Sequence, residues 1–175
     1  MRHKKLTTQF IRRLIFAVFT LLAFCIQCIS LPAVRFGVPV FIIIPLIVSI
    51  SMYEKEFTGL FFGLFAGALW DLASPLTDGS LALFFALLAY VICLLSRYIL
   101  RNTLLCQIVV TSITSAVYSI FMLLYTGFSS GPEIITRLAL GTYLPAVLLT
   151  AVTSIPVYFS VRKTAVKFRY DKLNS

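Results

Sequence analysis

Gly59-Leu60-Phe61-Phe62-Gly63-Leu64-Phe65-Ala66-Gly67-Ala68-Leu69-Trp70-Asp71 is the stretch that decides how this chain folds. It carries no charge before its last residue, and it belongs to an apolar run over 57–72. A hydrocarbon core of ~30 Å takes roughly 20 apolar residues wound as a helix. Backbone groups in lipid must pair within their own segment, so an open strand is ruled out. Gly59, Gly63 and Gly67 recur every four residues and form one ridge without side chains, flanked by Leu60, Phe61, Phe62, Leu64 and Phe65. Such a ridge lets a second helix approach backbone to backbone. That helix is either a neighbour in the same chain or the membrane helix of a partner, and the spacing admits both.

Asp71 continues the spacing but lies beside the ridge, because four residues overshoot one helical turn by about 40°. An acid at a helix C-terminus faces the negative end of the dipole. It therefore needs water, a cation or backbone donors. A proton or ion site is the functional reading of an intramembrane acid, but it needs a line of polar partners that the sequence does not show. A structural or partner-facing role fits better.

Working outward, five more stretches of similar character fall at 14–31, 36–53, 81–96, 103–126 and 138–161, joined by short connections. With 175 residues, 60% of them hydrophobic, and a mean hydropathy of +1.00, little is left for a soluble domain. The expected fold is an all-α integral membrane protein, six transmembrane helices in one compact bundle over 14–161, between basic cytoplasmic tails at 1–13 and 162–175. Leu6, Phe10 and Leu14 share a helical face, so the first tail reads either as a short amphipathic turn on the membrane or as a solvated segment. The first apolar run follows a basic lead but is long and lacks a small-x-small site, so it reads as a span and not as a signal peptide.

The net charge of +9 is distributed by side, not by domain. If the N-terminus is cytoplasmic, six crossings return the C-terminus to the same side. The inner segments then hold Arg2, Lys4, Lys5, Arg12, Arg13, Lys55, Arg97, Arg101, Arg162, Lys163, Lys167, Arg169 and Lys172, thirteen of the fifteen basic residues. Only Arg35 and Arg137 fall outside, so the positive-inside bias holds through every loop. This charge speaks for membrane lipids and against nucleic acid. Arg12, Arg13, Arg162 and Lys163 mark the span ends and face lipid headgroups.

Pro39 is placed at the start of the second span, and Pro45 in its interior, where a proline kinks a helix. The sixth span, with Gly141, Pro145 and Pro156, should bend as well. Asp78 or Ser80 is a candidate cap for the fourth span. Gln27, Gln107 and the Thr111-Ser115-Ser119 ridge, with Tyr90 and Tyr118, are expected to hydrogen-bond between helices. Cys25, Cys28, Cys93 and Cys106 sit in or at the ends of spans and read as small packing residues.

No catalytic residue, metal ligand set or cofactor site is expected. The single histidine, His3, lies in the tail, which leaves no membrane-embedded Ser-His pair or His-ligated metal. A phosphate-binding glycine loop with its lysine is absent too.

Gly59-x3-Gly63-x3-Gly67-x3-Asp71, followed by a short loop with Gly79 and the stretch from Leu81 to Tyr90, resembles the rod shape-determining protein MreD family. Pro39 falls where that family usually has a proline. The next position departs from the pattern: an acidic or polar residue often follows, and here it is Val40. The resemblance implies a non-enzymatic subunit of the bacterial cell-elongation machinery, multi-pass in the inner membrane. It implies partners: a bitopic MreC-like protein, the actin-like MreB and the elongation-specific peptidoglycan synthase. Self-association is left open. The fold it implies is similar to the six-helix substrate-binding component of energy-coupling-factor vitamin transporters. That similarity supplies the alternative function, a small-molecule-binding subunit of such a transporter. Those components often carry an Ala-x3-Ala face on the first helix; here Ala17 is followed at that spacing by Leu21.

Overall fold

The computed structural model describes residues 2–30, 41–73, 79–98, 103–127 and 139–173. Six α-helices account for nearly all of them: α1 (Arg2–Ser30), α2 (Ile43–Tyr53), α3 (Glu56–Ala73), α4 (Ser80–Tyr98), α5 (Leu104–Gly127) and α6 (Leu144–Leu173), the last preceded by a π-helical turn at Ala139–Tyr143. All but α2 are long and apolar enough to cross a membrane.

The first helix begins twelve residues earlier than the apolar run. Nothing between Arg2 and Ser30 is glycine or proline, so the basic lead continues the helix instead of forming a separate turn. At the other end α6 runs on through Arg162 and Lys163 to Leu173, so most of the expected C-terminal tail is helical.

The largest departure from the sequence reading concerns the second span. A crossing helix is expected over 36–53, but α2 starts at Ile43 and has 11 residues. At 1.5 Å per residue it covers about half of a hydrocarbon core. Residues 31–40, including Pro39 and Arg35, lie outside the described residues. Every residue of α2 from 43 to 52 is buried, and α2 touches all five other helices. Pro45 does not kink it. It lies in the first turn, where an N–H has no intrahelical partner to lose.

Among the other prolines, Pro145 also lies in a first turn, directly after the π-helical turn, while Pro156 sits inside α6. Pro156 brings no N–H for the carbonyl of Val152. The most extensive helix contact is between α3 and α4; α6 packs on α5 and α2, and α1 on α2, α6 and α3. Side chains such as Leu14, Val18, Phe61, Leu83, Leu87, Ile113, Ile120 and Val152 point outward. In water such surface would be a liability, but in a bilayer it is the solvated face.

Candidate functional site

The glycine ridge lies along α4. A Cβ placed on Gly63 would collide with the Phe85 carbonyl oxygen and, at 2.6 Å, with Ala89 Cβ. One on Gly67 would meet the Ala82 Cα and the Leu81 carbonyl oxygen, both at 2.6 Å. One on Gly59 would strike the Cys93 thiol, a side-chain atom. Glycine is thus required at 63 and 67 because backbone lies against them. Ala86 and Ala89 on the facing side of α4 are buried and keep the approach close.

Asp71 ends the ridge by capping α4. Its carboxylate accepts the N–H of Ala82 at 2.8 Å and that of Leu81 at 3.3 Å. Those are donors of the first turn of α4, which have no partner within the helix. The acid sits near the C-terminus of its own helix but against the positive end of the next one. This cap comes from α3 and not from the Ser80 hydroxyl. Asp78 lies outside the described residues, and the Ser80 hydroxyl is buried with no partner among them. Gly79, at φ +79°, takes the left-handed turn that brings the chain into α4. Arg35 and Arg137, the two cations expected on this side, also lie outside the described residues.

Beside Asp71, Trp70 stacks on Phe85 with centroids 5.5 Å apart and touches Phe41 at 5.6 Å and Tyr118 at 5.3 Å. Phe84 stacks on Phe121 at 4.8 Å. The rings come from α3, α4, α5 and the lead into α2, so they tie this end together. Trp70 and Tyr118 stand out in the sequence, but their meeting does not.

The amides have specific tasks. Gln27 on α1 accepts the N–H groups of Ile42, at 2.8 Å, and Ile43, at 3.3 Å, and so caps the start of α2. Thr150 on α6 accepts the N–H of Phe41 at 3.3 Å. Gln107 on α5 donates to the carbonyl of Pro45 at 3.0 Å and to the hydroxyl of Ser49 at 2.7 Å. Gln27 and Thr150 thus take the place of water at backbone N–H groups around the start of α2, as an apolar surrounding requires.

At the opposite end the short turn between α2 and α3 collects the basic side chains. Arg12 pairs with Glu54 at 2.6 Å, Arg13 donates to Thr58 at 3.2 Å, and Arg97 pairs with Glu56. Burial pushes the Glu54 carboxyl above the usual range, while Arg12 and Arg13 pull it down. Arg162 lies over the ring of Tyr158, 5.7 Å from its centroid, and Lys163 is exposed. Cys93 donates its thiol to the Ser51 carbonyl at 3.1 Å; all four cysteines are free thiols. Among the described residues no three His, Cys, Asp or Glu side chains gather as a metal site.

The geometry thus joins Asp71 to α4, the glycine ridge to the same helix, and the amides to α2. The family model for rod shape-determining protein MreD matches residues 7–168, nearly the whole chain. The chain belongs to the MreD family. Membership gives it a role in rod shape determination and fits the five membrane-crossing helices. No curated protein and no solved structure matches the chain, so the likeness to energy-coupling-factor components has no support here.

Proposed function

We propose that this chain is a non-catalytic membrane subunit of the rod-shape machinery that docks the membrane helices of its partners. The observation that carries this reading is the match to the MreD family over residues 7–168. The way the intramembrane polar groups are used supports the scaffold role: Asp71, Gln27 and Gln107 each bind the backbone of a neighbouring helix. That use holds the bundle together and favours a frame over an ion path.

In this reading the ridge of Gly59, Gly63 and Gly67 serves the α3–α4 pair, which leaves the outward faces for a bitopic MreC-type protein, with MreB-type actin and the elongation synthase in the same complex. Both termini are cytoplasmic, with Arg12, Arg13, Arg162 and Lys163 at the inner lipid surface.

Crosslinking in membranes of a depleted strain complemented by a tagged copy tests the proposal. Restored rod shape and recovery of a bitopic protein with an extracytoplasmic domain are expected. Recovery of an ATPase module, with rod shape kept in the depleted strain, would point to the transporter function instead.

A further inference from the structure

The contact face of α5 holds an unusual run of oxygens. Gln107, Thr111 and Ser115 follow one another at four-residue intervals, each with no exposed surface. The helix packs on α2 and α6. Gln107 Oε1, Thr111 Oγ1 and Ser115 Oγ have no hydrogen-bond partner among the described residues. Other buried hydroxyls close onto their own helix: Ser119 donates to the Ser115 carbonyl at 2.8 Å, Thr150 to that of Ala146 at 2.7 Å, and Thr20 to that of Phe16 at 2.9 Å. Thr111 and Ser115 forgo this bond and turn their hydroxyls elsewhere.

The register places these oxygens beside the start of α2. One turn before Thr111, Gln107 grips Pro45 and Ser49. Just beyond Ser115, the Tyr118 ring meets Phe41, with centroids 5.0 Å apart. Thr111 and Ser115 therefore lie between two contacts that bracket the first turn of α2. Side chains four residues apart on a helix are ~5–6 Å apart at Cβ, a gap that one small hydrogen-bonding molecule can bridge.

A buried amide oxygen is an acceptor with no proton of its own, and leaving it empty costs the full desolvation of that group. The group between these oxygens must donate and accept at short range and fit beside packed helices. Water does both, and a buried water typically makes about three bonds to such groups.

We propose that the face of α5 that packs on α2 and α6 binds internal water, one molecule bridging Gln107 Oε1 and Thr111 Oγ1 and a second bridging Thr111 Oγ1 and Ser115 Oγ. The bound water completes the polar environment of the buried start of α2. It also makes the contact of α5 and α6 with α2 a set of exchangeable bonds, unlike the direct packing of α3 on α4.

The test is magnetisation transfer from water in solid-state NMR of the full chain in lipid nanodiscs. Strong transfer to Thr111 and Ser115 is expected, with lipid-facing Ile113 silent. Thr111 and Ser115 as silent as Ile113 would overturn the proposal. Thr111→Val supplies a second measurement. It should weaken the transfer at Ser115 and lower Tm by roughly 2–4 °C, as expected for about 1 kcal/mol in a chain of this size. An unchanged or raised Tm is what removal of a dry, unpaired hydroxyl gives, and it too would overturn the site.

Discussion

The α3–α4 pair and the α2–α5–α6 group answer the same demand by opposite means. Lipid tails are as apolar as leucine, so helices in a bilayer associate through close packing or hydrogen bonds. On α3, glycines at 63 and 67 bring backbone against the backbone of α4, and between the polar contacts at the two ends of the pair the ridge is held by dispersion over a large area. Most of the buried surface of α2 is Ile, Leu, Val and Met, with Ser49 and Ser51 as its small residues, and it has no glycine ridge. There Gln27, Gln107 and Thr150 supply bonds directed at the start of the helix. Tight packing suits two long helices, whereas the buried start of a short helix needs polar partners for its backbone N–H groups in any case.

The sharpest way to break this contrast is Gly63→Leu. A side chain there has no room against the Phe85 carbonyl, and forcing the helices apart should cost roughly 3 kcal/mol or more, at the top of the range for overpacking. Little monodisperse protein is expected in detergent, as read by size-exclusion chromatography. Gly59→Leu meets only the movable Cys93 thiol first and should be milder, so equal damage at 59 and 63 would show that backbone contact is not what matters.

Gln107→Leu probes the other region. It leaves the Pro45 carbonyl and the Ser49 hydroxyl without their donor and should lower stability by about 1–2 kcal/mol in a denaturation curve. A neutral result would mean that α2 is held by packing alone and that the contrast fails.

Asp71 joins the two regimes, being a polar cap at the end of the apolar ridge. Asp71→Ala should cost about 1 kcal/mol, as loss of an N-cap does, while Asp71→Asn should restore most of it because asparagine caps equally well. If Asn were as harmful as Ala, the charge and not the cap would be at work.

The smallest effect belongs to Glu54. Its folded pKa is raised, so the protonated form is favoured on folding. The stability from this group is full below the ordinary carboxylate value and falls as pH rises from there through the raised value. Wild type should therefore lose stability relative to Glu54→Gln as pH rises across that window, measured by thermal unfolding at several pH values. The opposite slope would mean that Arg12 and Arg13 outweigh burial.

Five of the spans are legible from hydropathy because each is a continuous run, and the glycine ridge is legible because its spacing is fixed by the helix. The second span misleads for a physical reason. Residues 36–42 are as apolar as 43–53, and hydropathy cannot register that Gln27, fifteen or more residues away, caps a helix starting at Ile43. Pro45 misleads likewise, since its effect depends on whether it lies in a first turn or an interior one.

By itself, then, the sequence determines that the chain lies in a membrane, which residues form a ridge without side chains, and which end is basic. These follow from local composition and helical period, which act over a few residues. The tertiary structure decides that α4 covers the ridge, that Asp71 caps α4, that Arg12 finds Glu54, and that Gln27 and Thr150 permit a half-length helix at the centre. Each of these joins residues at least ten positions apart in the chain, and the partner of a polar group in lipid is set by which helices stand next to it.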